Sequence, residues 1–166
     1  VSYKWVHPDE EAIHNSNGVA AKISFSPIEY FAIEGGYDYA SFKTEDMSTR
    51  ANNWTYGGLG YFPIGCSNNF HGLGRVGGIS EHEKISGVGD STVNGVYAGG
   101  GLRYLLDNDA ELEGNITYSH VEEDTANWDY EVAGLYPIID KLAVKASAAI
   151  NDNKDIALAG GLRYSF

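Results

Sequence analysis

The strongest constraint on this chain is a period-two alternation that returns from one end to the other. It is clearest between Ile156 and Phe166. Ile156, Leu158, Gly160, Leu162, Tyr164 and Phe166 share one face of an extended strand. Ala157, Ala159, Gly161, Arg163 and Ser165 share the other, because successive strand side chains point to opposite faces. An apolar face, a small or charged face and an aromatic last residue suit the closing strand of a membrane barrel. The pattern recurs upstream. Val19, Ala21, Ile23 and Phe25 oppose Ala20, Lys22 and Ser24. Phe31, Ile33, Tyr37 and Tyr39 oppose Ala32, Glu34 and Asp38. Leu112, Ile116 and Tyr118 oppose Glu111, Glu113, Asn115 and Thr117, and Leu142, Val144, Ala146 and Ile150 oppose Lys145 and Ser147.

Turn chemistry divides the alternation into strands. Tight turn signals fall at Ser26-Pro27, Pro63 to Gly65, Asp107 to Asp109 and Pro137 to Asp140. Polar stretches fall between them, at His7 to Asn17, Lys43 to Asn53, Ser80 to Thr92, Glu122 to Asn127 and Asn151 to Asp155. Short turns at one end and longer polar loops at the other are the asymmetry of an outer-membrane barrel. The breaks leave up to ten strands: Ser2–His7, Gly18–Ser26, Glu29–Phe42, Trp54–Phe62, Phe70–Ile79, Val93–Leu106, Ala110–Val121, Trp128–Tyr136, Lys141–Ile150 and Ile156–Phe166. Eight is the alternative if Ser2–His7 and one other segment lie outside the barrel. Trp54–Phe62 and Phe70–Ile79 alternate poorly, are rich in glycine and are expected to carry bulges. The whole chain, residues 1–166, reads as one all-β domain, a closed antiparallel up-and-down barrel.

A soluble barrel also alternates, with its apolar face inward, and aromatic placement separates the two readings. Phe31 and Tyr39 stand near opposite ends of one strand, and Trp128 and Tyr130 oppose Tyr136 on another. Eight residues on a tilted strand cover roughly 20 Å along the barrel axis, close to the spacing of the two aromatic girdles of a membrane barrel. Aromatics at strand ends with smaller aliphatics between them match interfacial belts. Mean hydropathy is −0.29, and no apolar run is long enough for a membrane helix. The chain opens on Val1, as a mature N-terminus would after removal of an export signal.

With the apolar face outward, the polar face lines the lumen. It carries Lys22, Arg103, Lys145 and Arg163 against Glu34, Asp38, Glu111, Glu113, Asp129 and Glu131. Isolated charges in a narrow lumen are costly, so these groups should pair. The network is expected to centre on Arg103 and Arg163, which stand next to last in the similar stretches Ala98 to Tyr104 and Ala159 to Tyr164. It either fills and fixes the barrel or borders a narrow ion path. The polar stretches carry −9 of the net −12, with acidic clusters at Asp9, Glu10 and Glu11 and at Glu122, Glu123 and Asp124. They form a solvated surface or a site for divalent cations or a cationic partner.

Other chemistry finds little support. A net charge of −12 with no basic stripe argues against nucleic acid. Cys66 is the single cysteine, so no intrachain disulfide forms. No zinc signature links the histidines. Ser119, His120 and Glu122 lie close in sequence, but proximity does not make a nucleophile, base and acid converge. No enzyme activity and no cofactor are expected.

The final L-R-Y-S-F, strands such as Gly35-Gly36-Tyr37-Asp38-Tyr39 and the turn–loop alternation resemble the small outer-membrane β-barrel superfamily. That group includes the transmembrane domain of OmpA, the OmpX/Ail-type adhesins and the opacity proteins. The resemblance spans most of the chain and implies a Gram-negative outer membrane, with lipid as the surrounding partner. It also implies that Tyr164 and Phe166 form the signal read by the barrel-assembly machinery. Ten strands would depart from the eight of those relatives, which weakens transfer of their adhesion. The expected role is structural or surface-binding, alone or with a protein partner in a larger envelope assembly; the first alternative is a narrow porin-like channel, and the second, less favoured, is a membrane-embedded hydrolase acting on lipid or protein.

Overall fold

The computed structural model describes residues 2–7, 16–43, 48–65, 69–85, 89–122, 126–139 and 142–164. They form β1 (Ser2–His7), β2 (Ser16–Ile28), β3 (Phe31–Lys43), β4 (Ser48–Pro63), β5 (Phe70–Ile85), β6 (Gly89–Leu105), β7 (Glu111–Val121), β8 (Asn127–Ile139), β9 (Leu142–Asn151) and β10 (Ile156–Tyr164). Each strand pairs antiparallel with its neighbours in sequence, and β1 pairs β10 to close the barrel. The count of ten is therefore met, with Ser2–His7 as the closing partner of the last strand.

The faces divide as the alternation requires, with the large apolar residues outside. Phe25 and Val132 expose 68% and 67% of their surface, whereas inward Ala32 and Ala133 expose 1%. This inverts a soluble core and leaves an outer apolar band of the kind that lipid covers in a membrane barrel. Aromatic rings pair across strands on the band: Tyr37 with Trp54 at 4.5 Å and Tyr118 with Trp128 at 5.0 Å on the loop-ward half, and Phe70 with Tyr104 at 6.5 Å at the turn end. Ring pairs whose amphipathic edges reach the headgroups suit a membrane interface.

Three expectations need correction. Ser26-Pro27 is not a turn: β2 continues to Ile28, the register shifts between Phe25 and Ile28, and the reversal falls at Glu29 and Tyr30. Pro137 behaves alike, with a shift between Pro137 and Ile139 inside β8. Proline lacks the N–H that a ladder needs, and each strand absorbs it in an irregularity before it turns. Second, the glycine-rich strands are not bulged. The β4–β5 ladder runs unbroken from Thr49↔Ile85 to Pro63↔His71. Their inward glycines make room: a Cβ on Gly77 would stand 2.7 Å from the Tyr97 ring. Third, Lys43 to Asn53 and Ser80 to Thr92 are mostly strand. β4, β5 and β6 extend through them, leaving only residues 44–47 and 86–88 between strands.

That third difference shapes the rim. Among the described residues β7 pairs with β6 from Gly95↔Val121, the N–H of Glu122 donates to the C=O of Asn94 at 2.9 Å, and β6 continues beside β5 to Gly89. The barrel wall is high along β3 to β6 and low along β7 to β10.

Candidate functional site

The inward register positions build the lumen in three levels. At the turn end, Arg103 of β6 donates to Glu113 of β7 through Nε at 2.8 Å and lies 3.5 Å from Glu111. Arg163 of β10 reaches the same Glu111 carboxylate at 3.0 Å. β10 and β7 are separated by β9 and β8, so this pair crosses the bore. The Arg103 guanidinium also stacks over the Tyr61 ring at 5.0 Å. The two strands of similar sequence thus deliver their arginines to one shared carboxylate.

The next level is apolar. Ala32, Leu59 and Leu73 from β3, β4 and β5 form a buried cluster with Tyr61 packed against it, and Leu135 of β8 exposes only 5%. These are inward positions that an apolar-outside rule assigns wrongly. They hold large aliphatics because a narrow bore filled by its own side chains needs them.

Above this layer lies a polar cavity of about 280 Å³ lined by Lys22, Glu34, Arg75, Tyr97, Glu81 and Asp129, among others. Glu34 is buried and pairs with Lys22 at 2.8 Å, and Lys145 pairs with Glu131 at 3.2 Å deeper in the wall. Arg75 donates to Asn115 at 3.2 Å, while its Nε is buried with no hydrogen-bond partner among the described residues. The Asn53 side-chain oxygen is likewise buried and unmatched.

Of the residues singled out in the sequence, Lys22, Glu34, Arg103, Glu111, Glu113, Glu131, Lys145 and Arg163 enter these ion pairs. Asp38 and Asp129 occupy inward positions near the loop end. Glu122 is exposed at the β7–β8 turn. Asp9, Glu10, Glu11, Glu123, Asp124 and Phe166 lie outside the described residues, and Tyr164 ends β10 opposite Leu142. Among the described residues no cluster of His, Cys, Asp or Glu could hold a metal. Ser119 and His120 are adjacent on β7 and point to opposite faces, so they do not form a hydrolytic pair. Arg75, Tyr97 and Tyr61 were missed in the sequence. The signal was their shared inward parity with Leu73 and Leu59, hidden by the surrounding glycines.

These features define a ten-stranded transmembrane β-barrel whose lumen holds crossing ion pairs, a buried aliphatic cluster and a polar cavity. No protein-family model matches the chain, and no curated protein sequence does. Solved outer-membrane barrels do match in fold. The NanC porin superposes with a TM-score of 0.60 at 9% identity over 99% of both chains. The KdgM porin in complex with oligogalacturonate gives 0.53 at 12% identity, over 100% of this chain and 99% of that one. The translocator domain of the autotransporter NalP from Neisseria meningitidis gives 0.57 at 8% identity, over 99% and 86%. At such identities the likeness is one of architecture, and function has to be argued from the site. The likeness is to the barrel fold and does not single out the OmpA or OmpX group.

Proposed function

We propose that this is a non-enzymatic barrel of a Gram-negative outer membrane, closed to solute flow, that acts at its loop side as a surface-binding or structural protein. The observation that carries this reading is the turn-side stack of ion pairs and buried aliphatics, in which Arg163 reaches Glu111 across the bore. A path for ions would have to displace both levels. Assembly through Tyr164 and Phe166, and a protein partner in a larger envelope assembly, belong to the same reading. Planar-bilayer recording tests it: the purified barrel should give no stepwise conductance, and stable unitary steps would overturn it.

A porin-like path for ions or small solutes is the second reading. The polar cavity with Lys22, Glu34 and Arg75 favours it, as do two structural neighbours described as porins. It predicts conductance that rises when Leu59 and Leu73 are truncated.

A further inference from the structure

The polar cavity carries charges of both signs, and they are held in two different ways. Lys22 and Glu34 close an ion pair at 2.8 Å, and Lys145 and Glu131 close another at 3.2 Å in the wall beside it. Two further charges on the lining are held by neutral amides. Arg75 donates to the side-chain oxygen of Asn115 at 3.2 Å. Asp129 accepts from the side-chain nitrogen of Asn127 at 3.3 Å. A neutral partner fixes a side chain and leaves its charge in place. The register sets the distance between these two charges. Arg75, Gly99, Thr117 and Asp129 follow one another across β5, β6, β7 and β8 on a single row. The arginine crosses the bare glycine: a Cβ on Gly99 would stand 3.2 Å from Arg75 Cγ. Its guanidinium so arrives beside β7 at Asn115. Asn115 pairs with Glu131, two residues from Asp129, and such diagonal neighbours stand about 7–8 Å apart. Lys22 points into the same cavity and exposes 53% of its side chain, so water reaches this level of the lumen.

Size and charge constrain what could sit there. Pockets for drug-sized ligands run from about 300 to 1,000 Å³, and this cavity of about 280 Å³ suits a smaller solute. An anion seated on Arg75 would face Asp129 and Glu81. A cation seated on Asp129 would face Arg75 and Lys22. Like charges at such range repel appreciably where bulk water is scarce. A solute with one charge of each sign meets an opposite charge at both ends. Two charge-assisted hydrogen bonds of about 2.8 Å, taken from about 7–8 Å, leave a gap of roughly 2 Å. That gap suits an ammonium and a carboxylate carried on one carbon.

We propose that the lumenal cavity binds a small α-amino acid, with its carboxylate on Arg75 and its ammonium on Asp129. The hydroxyls of Tyr97 and Thr117, on the same lining, serve the remaining donors and acceptors. The aliphatic level and the Arg163 to Glu111 contact lie beneath the cavity, so the solute enters and leaves on the loop side. The site rests on the closed, surface-binding reading and gives it a ligand class, in the lumen rather than on the acidic loops.

The test uses the whole barrel in a nonionic maltoside detergent, which brings no zwitterion of its own, and radiolabelled glycine in equilibrium dialysis. Acetate and methylammonium are the competitors, each with one of glycine's two charges. The expected result is saturable glycine binding, with either competitor about tenfold or more weaker than unlabelled glycine. Arg75→Gln and Asp129→Asn each remove one charge and should each weaken glycine binding about tenfold. Glu122→Gln, an exposed change outside the cavity, should leave binding unchanged. Should Arg75→Gln not refold, Asp129→Asn and the two competitors decide the matter. Absence of saturable binding, a competitor as strong as glycine, or full-strength binding by Asp129→Asn would overturn the proposal. Conductance reads closure alone. A conducting barrel that binds glycine refutes the closed reading and keeps the site, whereas a silent barrel that ignores glycine removes the site alone.

Discussion

Two glycines on β5, three residues apart and on opposite faces, give a sharp test of which side of this barrel is packed. Gly77 points inward. A Cβ there would lie 2.7 Å from ring atoms of Tyr97 and closer still to the backbone oxygen of Tyr56. Neither neighbour yields easily, because the ring is wedged in the lumen and the oxygen belongs to the ladder. Overpacking of this kind costs about 1–3 kcal/mol. Gly74 points outward, and a Cβ there meets nothing within 4 Å. Replacing glycine by alanine inside a strand recovers about 0.5–1 kcal/mol of chain entropy. Gly77→Ala should therefore lower the unfolding free energy by about 2 kcal/mol and Gly74→Ala should raise it by about 0.5 kcal/mol. Urea unfolding in phospholipid vesicles, followed by tryptophan fluorescence, reads both. Equal effects, or a larger loss at Gly74, would refute the assignment of a filled lumen and an open outer face.

Further outcomes follow from the same division. Val132→Arg places a charge on the lipid-facing band, where Val132 is 67% exposed, and should cost about 2–4 kcal/mol in vesicles; an unchanged urea midpoint would contradict lipid contact there. Glu111→Gln leaves Arg103 and Arg163 without their shared carboxylate. Breaking a buried pair costs about 3–5 kcal/mol, but Arg163 is 41% exposed, so a loss of about 2 kcal/mol is expected. The double change with Arg163→Gln should cost less than the sum of the singles, and strict additivity would deny the coupling. Truncating Leu59 and Leu73 to Ala together should destabilise the barrel by about 4 kcal/mol or more, readable in the same urea assay; a marginal loss would show that these side chains do not pack.

The sequence carried the strand count and most of the faces, and the failures have physical causes. Where aliphatics alternate with small or charged residues, as in β3 and β10, one face is unambiguous. In β4 and β5 glycine occupies both faces, so parity leaves no chemical trace. Leu59, Leu73 and Arg75 then hid on the inward side. The prolines misled because a proline marks where a ladder is interrupted, which in β2 and β8 comes before the reversal. Ser80 to Thr92 looked like a loop because its residues are polar. Strands that rise above the membrane are wetted on both sides and need no apolar face. The charge-bearing residues of the lumen could be named, but their partners could not. The Arg163 to Glu111 contact joins residues 52 apart in sequence and depends on closure of the barrel.

The account rests on the apolar face being outside and in lipid, and the tryptophans report on this directly. The chain has three, Trp5, Trp54 and Trp128. All occupy outward positions, with Trp54 and Trp128 exposed by 57% and 43%. In vesicles of lipids brominated at defined acyl positions, their fluorescence should be strongly quenched, most by bromines near the headgroups. Fluorescence untouched by bromine at any depth would place the apolar face inward and contradict the account.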